Sequence, residues 1–298
     1  MQRETLYRYR DIISDFDAFM QAIKSKRITT VRWNPHKVTR AELIEELKEC
    51  FANVEEVGWY KHAFRLGRVE KPGKTLAHAL GHYYIQEESA MVAALVLNPE
   101  KSSYVLDMCA APGGKTTQLS ALMENTGTIV ANDKSIPRLK SLVANVSRLA
   151  CLNVVVTWND ASKLATKEQF DHILVDAPCT AEGNLQEKIT LMPKRTRESL
   201  SRLQKALLRK ACELVKPKGT IVYCTCTFAP EENERVVSSV FKEFDLKVLP
   251  LKLKVPHENG LESFGSETYC SEMKNTARIY PHHLNSGGAY IAKLKKRG

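Results

Sequence analysis

The sequence predicts an α/β protein, in which a doubly wound, mainly parallel sheet follows a small α/β domain. Three observations carry this prediction. From Tyr104 onward, short apolar segments alternate with segments of helical periodicity, which is typical of parallel sheets with helical crossovers. A glycine-rich loop joins the first apolar segment to the first helical one. Aspartates lie at or just after the ends of the first three apolar segments, which share one edge in such a sheet.

The strands are predicted from five segments that are dense in Val, Ile and Leu without alternation, as expected for strands buried on both faces. These segments are 103–108, 127–133, 153–158, 170–178 and 219–225. Helical periodicity occupies 115–125, 136–150 and 197–216. The segment 287–296 follows a stretch without helical periodicity, and we expect it to add an antiparallel strand.

Residues 1–75 are predicted to form the small domain, and residues 76–298 the large one. Pro and Gly in 71–74 break both periodicities, which favours a linker there. Thr39 is followed three residues later by Glu42, a capping box that predicts the start of a helix. In chain order we expect a helix over 15–25, a strand over 29–34, the helix from Thr39, and a strand or hairpin over 54–66.

The composition limits the class of protein. With 44 basic and 34 acidic side chains, the net charge is +10, which favours nucleic acid over an acidic membrane as the partner. Eight cysteines without a CxxC pair indicate neither a disulfide scaffold nor a zinc site. The N-terminus resembles no signal peptide, and no apolar run reaches eighteen residues. We therefore expect a cytoplasmic monomer with reduced thiols, no metal and no membrane association.

Most of the excess charge lies in the segment 193–219. Nine basic and two acidic side chains there give +7 of the chain's +10. Leucines at i, i+3, i+4 spacing predict that one face of this helix packs on the sheet. A solvated helix face is one interpretation of the remaining surface. Because i,i+4 salt bridges cannot absorb this imbalance, we expect a surface that faces phosphates instead, shared with residues 1–75.

The loop 107–116 reads DMCAAPGGKT and lies where a doubly wound fold binds a nucleotide-like ligand. Gly113 and Gly114 allow the backbone to approach a ligand closely, and the helix that follows offers free N–H donors. A phosphate-binding P-loop would need glycine five positions before Gly114, where the chain has Cys109. The P-loop interpretation therefore fails.

Two aspartates predict an adenosine-containing ligand at this loop. Asp133 ends the second strand, 20 residues after Gly113, where an acidic group commonly accepts from ribose hydroxyls. Asp160 follows the third strand and is placed to meet an adenine amino group. These residues indicate S-adenosylmethionine or NAD, and by themselves they do not distinguish the two.

Cysteines follow the fourth and fifth strands. Asp176-Ala-Pro-Cys179 ends one, and Cys224-Thr-Cys226 ends the other. Beside a methyl donor, a thiolate can add to C6 of a pyrimidine and make C5 able to accept a methyl group. Asp176 is placed to hold the ring edge during that addition. Spacing alone does not decide whether Cys179 or Cys226 is the nucleophile. The cysteines assigned to the core are Cys50, Cys151, Cys212, Cys224 and Cys270.

A combination of motifs carries a family resemblance that runs from about Gly81 to the C-terminus. The motifs are YIQ at 84–86, DMCAAPGGKT, DAPCT, YCTCT followed by PEENE, RIYPH at 278–282 and GGAYIA at 287–292. In them the sequence resembles the RsmB/Sun family of RNA cytosine-C5 methyltransferases. The resemblance implies a Rossmann-like class I methyltransferase fold with a seven-stranded sheet, S-adenosylmethionine as cofactor, and RNA as partner. Residues 1–75 resemble that family's small RNA-binding domain.

The resemblance also implies roles for individual residues. Cys226 is the nucleophile, and Cys179 assists release of the methylated product. Lys115 and Asp176 are the other expected catalytic residues. The residues implied in contact with S-adenosylmethionine or the target base are Cys109, Ala110, Ala111, Pro112, Gly113, Gly114, Lys115, Asp133, Arg138, Asp160 and Asp176. The chain departs from the family pattern at Ala181, where glycine is frequent, and at Cys224, where serine is usual.

The resemblance allows transfer RNA or ribosomal RNA as the substrate, and a compact chain without a further appended RNA-binding domain fits transfer RNA better. Three other functions compete with methylation of transfer RNA. Ribosomal RNA is the alternative substrate. An RNA-binding protein without catalysis would leave the joint presence of a lysine, an aspartate and two loop cysteines unexplained. An NAD-dependent oxidoreductase does not fit, because residues 107–115 contain no GxGxxG pattern.

Overall fold

The computed structural model describes residues 5–67, 69, 71–184 and 190–298. Residues 1–4, 68 and 70 of the predicted small domain lie outside the described residues. Two main sheets organise the described chain, one of four strands and one of nine. The smaller is antiparallel throughout, and five strands of the larger are parallel.

The small sheet is formed by the N-terminal part of the chain. Its strand order is β2–β3–β1–β4. The predicted capping box of Thr39 and Glu42 is confirmed at the start of the second helix, and the segment 54–66 forms the predicted hairpin. The elements are α1 (Phe16–Lys24), β1 (Thr30–Trp33), α2 (Arg40–Cys50), β2 (Glu55–Glu56), β3 (Ala63–Arg65), α3 (Leu76–Leu80) and β4 (Tyr83–Ile85).

The small sheet continues past residue 75, the boundary that the sequence suggests. Strand β4 pairs with β1 and places Ile85 opposite Val31. The Pro-Gly signal at 71–74 corresponds to a 3-10 turn, Pro72–Lys74, inside the connection between β3 and β4. Proline and glycine break periodicity equally in a turn and in a linker, so composition alone does not separate the two.

Helix α1 packs on the large sheet's side of the molecule, although it precedes the small sheet in sequence. Its Phe19 is fully buried and meets the ring of Phe228 edge to face at 5.3 Å. The buried cluster around Phe19 comprises Leu6, Tyr9, Ile13, Phe16, Met20, Ile23, Leu191, Phe228 and Tyr280. Each large apolar side chain buried there stabilises the fold by about 1.5–3 kcal/mol, so the N-terminal segment is fixed to the part of the chain that forms the large sheet.

The large sheet has the order β11–β14–β15–β9–β8–β5–β6–β7, and β10 pairs with β15. A separate hairpin is formed by β12 and β13. The elements are α4 (Glu88–Leu97), β5 (Tyr104–Asp107), α5 (Gly114–Leu122), β6 (Thr128–Asn132), α6 (Ile136–Arg148), β7 (Val154–Thr157), β8 (Phe170–Asp176), α7 (Lys194–Leu214), β9 (Val215–Thr225), α8 (Glu234–Val240), β10 (Leu246–Val248), β11 (Glu258–Asn259), β12 (Ser263–Phe264), β13 (Glu267–Thr268), β14 (Ala277–Ile279), α9 (Pro281–Leu284) and β15 (Ala289–Lys296).

The predicted doubly wound α/β fold is confirmed. Strands β5 to β9 are the five predicted parallel strands, and β15 lies antiparallel to β9 as expected. The sheet has nine strands where seven are predicted, because the short strands β10 and β11 extend its antiparallel part. Among the described residues, no helix is both long and apolar enough to cross a membrane.

Helices cover both faces of the large sheet. Helices α7 and α8 pack on one face, where the buried side chains include Ile173, Val175 and Leu208. Helices α4 and α5 cover the other face over Leu174 and Val222. Because β5 to β9 are parallel, the loops after their carboxyl ends meet at one edge, and that edge carries the predicted site residues.

Candidate active site

The loop between β5 and α5 requires glycine at its end. Gly113 has φ +106°, a conformation that other residues rarely adopt, and a Cβ there would lie 3.0 Å from Leu142 Cδ1. The next residue, Gly114, begins α5 and faces the ring of Tyr84. The loop is therefore held close to α6 on one side and to β4 on the other.

Asp107 ends β5 beneath this loop and is almost fully buried. Thr116 Oγ1 donates a hydrogen bond of 2.7 Å to Asp107 Oδ2. The other oxygen, Oδ1, has no hydrogen-bond partner among the described residues. Burial raises the pKa of Asp107 to about 7, because a desolvated carboxylate is disfavoured relative to its neutral form.

Asp133 and Arg138 fix the outer part of the loop. Asp133 Oδ2 accepts from the Ala111 N–H at 3.3 Å, and its Oδ1 accepts from the Ser135 N–H at 2.9 Å. Arg138 forms an ion pair with Asp133 at 3.3 Å and also donates to the Ala111 carbonyl. The two predicted residues thus meet at the loop itself.

Asp160 lies at the start of a 3-10 turn, Ala161–Lys163. Its Oδ1 accepts from the backbone N–H and the hydroxyl of Ser162, and the hydroxyl bond lowers the pKa of Asp160. Together with Asp133 it lines a cavity of about 210 Å³. The lining residues are Met108, Cys109, Asn132, Asp133, Lys134, Ser135, Arg138, Asn159, Asp160, Ala161, Pro178, Leu203 and Leu207. We call this the cofactor cavity, since its carboxylates suit hydroxyl and amino donors.

A second cavity of about 320 Å³ lies on the other side of the loop, and we call it the thiol cavity. Lys115 Nζ donates to Asp176 Oδ2 at 2.7 Å there. Burial by itself lowers the pKa of Lys115, but the Asp176 carboxylate outweighs burial and holds that pKa above its usual range. Both side chains line the thiol cavity with Tyr84, Glu87, Pro112, Asn184, Cys224, Cys226 and Gly288.

The two predicted loop cysteines lie side by side. Cys179 Sγ and Cys226 Sγ are 3.4 Å apart. The hydrogen bond between the two thiols lowers the pKa of Cys226 and raises that of Cys179. Burial and the Asp176 carboxylate oppose the lowered pKa of Cys226, and the Lys115 ammonium supports it. Because the thiolate is the nucleophilic form of cysteine, this arrangement favours Cys226 as the nucleophile.

Cys224 is buried, as the sequence predicts, with 2% of its surface exposed. Burial raises the pKa of its thiol, and Sγ donates to Asp176 Oδ1 at 3.4 Å. A serine hydroxyl can donate in the same direction. Cysteine at position 224, in place of the usual serine, therefore keeps the hydrogen bond to Asp176.

The other departure, Ala181, has a physical cost. Its φ is +54°, in the left-handed region that favours glycine. This residue lies in the loop that follows β8. The next residue, Glu182, is buried, and its carboxylate accepts a hydrogen bond from Tyr9 Oη at 2.7 Å. Alanine in this conformation costs about 1 kcal/mol relative to glycine.

Two residues of the PEENE motif support the cysteine loops. Glu232 accepts from the Thr180 N–H at 3.1 Å and from its hydroxyl at 2.6 Å. Asn233 accepts from Thr225 Oγ1 at 2.6 Å and donates to the Thr227 carbonyl at 3.0 Å. Helix α8 begins only at Glu234. Residues 230–233 therefore form a turn that holds these loops.

The RIYPH motif has a structural role. Arg278 and Glu234 form an ion pair in which both side chains are almost fully buried. Arg278 also donates to the Phe228 carbonyl at 3.0 Å. The pair ties β14 to the start of α8 behind the thiol cavity. Removing one partner of such a pair leaves a buried charge uncompensated.

Two arginines of the N-terminal region, Arg27 and Arg32, contact the site, and no sequence motif predicts them. Arg32 on β1 is buried and donates to the Gly114 carbonyl at 3.1 Å and to Thr117 Oγ1 at 2.8 Å. Arg27 donates to Glu87 Oε1 at 2.7 Å and to the Gly183 carbonyl at 2.5 Å. A charged residue within a short apolar strand is the one signal that points to Arg32.

One group of possible metal ligands lies away from both cavities. Glu258, His282 and His283 each offer an atom within 4.8 Å of the others. Glu258 Oε1 already accepts from the N–H and hydroxyl of Ser14. His283 Nδ1 accepts from the Tyr280 N–H at 3.2 Å, so its neutral ring carries the proton on Nε2, where a metal would bind. None of these residues faces the cysteines.

Acidic side chains engage several of the cations expected to face phosphates. Arg197 is buried next to Glu231, and Arg209, Lys210 and Lys216 form ion pairs with Glu243, Glu213 and Asp171 respectively. Ion pairs with distant residues and within the helix therefore neutralise part of this positive charge. The spacing of the sequence does not show the distant partners. Among the described residues, Lys194, Arg195, Arg202 and Lys218 are exposed and form no ion pair, and the first three of these lie in the first half of α7.

Comparison with protein families finds two matches along the chain. A model described as 16S rRNA methyltransferase RsmB/F matches residues 94–295. A second, described as the N-terminal domain of 16S rRNA methyltransferase RsmF, matches residues 4–88. The first covers more than half of the chain, and the second extends through strand β4.

Individual relatives act on different RNAs. The chain is 33% identical to the tRNA (cytosine(49)-C(5))-methyltransferase of Pyrococcus abyssi, over 99% of this chain and 96% of that one. It is 35% identical to the human 28S rRNA (cytosine(4447)-C(5))-methyltransferase, over 95% of this chain and 36% of that one. The chain spans 36% to 48% of the length of the rRNA relatives from human, mouse and Schizosaccharomyces pombe. Among solved structures, NSun6 from Pyrococcus horikoshii with SFG superposes with a TM-score of 0.85 and 25% identity, covering 98% of this chain and 97% of that one.

Proposed function

The chain belongs to the 16S rRNA methyltransferase RsmB/F family, and on that premise we propose that it transfers a methyl group from S-adenosylmethionine to C5 of a cytosine in RNA. One observation carries the proposal above all others. A thiol of lowered pKa, Cys226, lies next to a second thiol and lines one cavity with the Lys115–Asp176 ion pair. That combination suits covalent addition to an electron-poor ring.

The residues of the cofactor cavity fit S-adenosylmethionine. Asp133 and Asp160 place carboxylates at the ends of β6 and β7, and the absence of a Cβ at Gly113 lets the loop pack closely against Leu142 of α6. A structural neighbour, NSun6, was solved with SFG, an analogue of this cofactor. When bound, S-adenosylmethionine supplies a methyl group on a positively charged sulfur.

Cys226 begins the proposed reaction. Its thiolate adds to C6 of the cytosine, a C–S bond forms, and the ring's electron pair becomes available at C5. Asp176 and Lys115 line the same cavity as Cys226 and are placed to bind the ring edge on which charge develops. C5 then forms a bond to the methyl carbon as the bond between that carbon and the positively charged sulfur breaks and its electron pair stays on the sulfur. C5 still holds its own hydrogen.

Cys179 completes the proposed reaction. The Cys226 thiolate is what raises the pKa of Cys179 most. Once Cys226 is a thioether, that contribution to the pKa of Cys179 disappears, although burial still raises it. In the proposed reaction, Cys179 then passes its proton to solvent. The Cys179 thiolate then takes the proton from C5, the C5–C6 double bond forms again, and Cys226 leaves as a thiolate.

Denaturing electrophoresis with labelled RNA and S-adenosylmethionine tests these roles. Cys226→Ala is expected to abolish methylation and to form no covalent RNA adduct. Cys179→Ala is expected to attack and methylate, and then to accumulate an adduct that survives denaturation. Cys50→Ala is the matched control. The assignment of Cys50 to the core is wrong, because this residue ends α2 with its thiol exposed, and it lines neither cavity. An adduct from Cys226→Ala and none from Cys179→Ala would reverse the two assignments.

We propose transfer RNA as the substrate, because the tRNA enzyme of Pyrococcus abyssi is matched over 96% of its length. Bisulfite sequencing of RNA from cells lacking the gene tests this choice. A cytosine that loses protection only in transfer RNA supports it. Loss of protection only in ribosomal RNA would contradict it and establish the alternative substrate.

The basic half of α7 and the small domain are proposed to bind the phosphates of that RNA. Lys194, Arg195 and Arg202 are exposed cations without acidic partners among the described residues. Replacing all three by Glu is expected to weaken RNA binding and to flatten its salt dependence, since fewer counterions are released. Lys247→Glu on β10 is the control for charge alone. Unchanged RNA affinity of the triple variant would assign these cations to a solvated face.

A further inference from the structure

The loop that begins at Cys179 returns to Cys226 at its other end. Asn184 Nδ2 donates to Cys226 Sγ at 3.6 Å, while Cys179 Sγ lies 3.4 Å from the same sulfur. We call residues 179–184 the cysteine loop. Two side chains of one loop therefore lie within hydrogen-bond distance of one sulfur atom, and a thiolate is stabilised by each hydrogen bond it accepts.

The backbone fixes the end of the cysteine loop that carries Asn184. The Gly183 N–H donates to the Cys226 carbonyl at 2.8 Å, and the Gly288 N–H donates to the Gly183 carbonyl at 3.1 Å. A Cβ at Gly183 would lie 2.8 Å from the Gly288 nitrogen and 2.9 Å from the Cys226 carbonyl oxygen. This packing leaves the backbone before Asn184 little freedom to move away from the sulfur.

Arg27 adds a side-chain clamp from the N-terminal region. Its Nη2 donates to the Gly183 carbonyl at 2.5 Å, and its Nη1 pairs with Glu87 at 2.7 Å. The Arg27 side chain is 10% exposed, so this clamp is largely shielded from water. Glu87 lines the thiol cavity, and its negative charge raises the pKa of Cys226. Arg27 thus holds the loop and neutralises a charge that opposes the thiolate.

We propose that Asn184 and Arg27 are positioning residues for Cys226, Asn184 through its hydrogen bond to the sulfur and Arg27 through the Gly183 carbonyl and Glu87. The inference rests on the proposed role of Cys226 as the nucleophile. It adds a link between the N-terminal region and the reacting thiol, so the region proposed to bind RNA also prepares the sulfur for attack.

Alkylation of the full-length protein by iodoacetamide tests the role of Asn184 without RNA or cofactor. The modification rate of Cys226 is followed against pH by mass spectrometry, with fragmentation to separate it from Cys224. Asn184→Ala is expected to slow alkylation at neutral pH about three- to tenfold and to move the midpoint of the profile upward. Asn184→Asp, which adds a negative charge, is expected to slow it more. Asn259→Ala, at an exposed asparagine on β11, is the matched control.

Two further variants separate the two effects of Arg27. Arg27→Met is expected to move the midpoint upward, because Glu87 loses its counter-charge and Gly183 loses a donor. Adding Glu87→Gln to Arg27→Met is expected to restore part of the rate, since it removes the opposing charge. An Arg27→Met profile that Glu87→Gln leaves unchanged would contradict the charge effect, and only the hold on the Gly183 carbonyl would stand.

The outcomes distinguish this inference from the proposed function. If Asn184→Ala and Arg27→Met both leave the alkylation profile of Cys226 unchanged, the inference is wrong, whether or not the protein methylates RNA. If the profiles shift as expected but Cys226→Ala still methylates RNA, the assignment of the nucleophile is wrong while the contacts to the sulfur stand. Circular dichroism of each variant shows that a changed profile does not come from unfolding.

Discussion

The two sides of the loop that ends at Gly113 are built differently. The cofactor side takes most of its polar groups from one continuous stretch, Asp107 to Ser162. The thiol side combines Arg27 and Glu87 with the cysteine loop, the turn at 230–233 and the start of β15. The first is encoded locally, whereas the second exists only when distant parts of the chain are in place.

This difference predicts which property a substitution on each side will change. A substitution on the cofactor side should change cofactor affinity and stability but leave the reactivity of Cys226 intact. A substitution on the thiol side should do the reverse. Arg32 also reaches this loop from the small sheet, at Gly114, which lines the thiol cavity.

The largest expected effect concerns the buried carboxyl of Asp107, whose pKa of about 7 in the folded protein exceeds the ordinary value of 3.8 for an aspartate. Between these pH values the folded protein binds a proton that the unfolded chain releases, so stability from this group falls as pH rises from about 4 to 7. Asp107→Asn, which mimics the neutral form, is expected to be more stable than the parent by about 2–4 kcal/mol at pH 8. Urea unfolding at pH 4.5, 6 and 8 measures the difference, which should shrink towards pH 4.5. An equal difference at all three pH values would contradict the prediction.

A smaller effect is expected for Gly113→Ala on the same side. The positive φ and the contact with Leu142 together are expected to cost about 1–3 kcal/mol of stability. Calorimetry should show weaker S-adenosylmethionine binding, while the alkylation rate of Cys226 stays unchanged. Gly265→Ala is the matched control, because Gly265 also has a positive φ but meets nothing within 4 Å. A changed alkylation rate in Gly113→Ala would break the separation of the two sides.

Tyr9→Phe tests the thiol side and has the smallest expected effect. It removes the hydroxyl that donates to buried Glu182, which is expected to cost about 1–2 kcal/mol in urea unfolding. Cofactor affinity measured by calorimetry should not change. Tyr7→Phe, at a tyrosine that is 54% exposed, is the control. Weaker cofactor binding in Tyr9→Phe would show that the two sides are coupled through the N-terminal segment.

The parts of the fold that the sequence predicts are those with local signals. Apolar runs place the five parallel strands, and Thr39 with Glu42 places the start of α2. The Pro-Gly signal at 71–74 misplaces the end of the small sheet, because a turn and a linker have the same composition. The packing of α1 on Phe228 has no local signal either, since an amphipathic helix does not specify which surface it covers.

The candidate site divides in the same way. Asp133, Lys115 and Cys226 belong to motifs at strand ends, and the topology brings such residues to one edge. Asn184 follows no such rule, because its amide reaches Cys226 only through the left-handed turn at Ala181. Arg27 likewise has no local sequence signal, since its partners lie 60 and 156 positions away.

The position of β15 has a consequence for how the molecule is made. This strand follows β5 to β9 in the chain, yet it lies between β9 and β14 inside the sheet. Gly288, just before it, supplies the N–H that holds Gly183. A nascent chain can therefore assemble β5, β6 and β7 before β15 has been synthesised. The hydrogen bond that fixes Gly183 beside Cys226 forms only after Gly288 has been added to the chain.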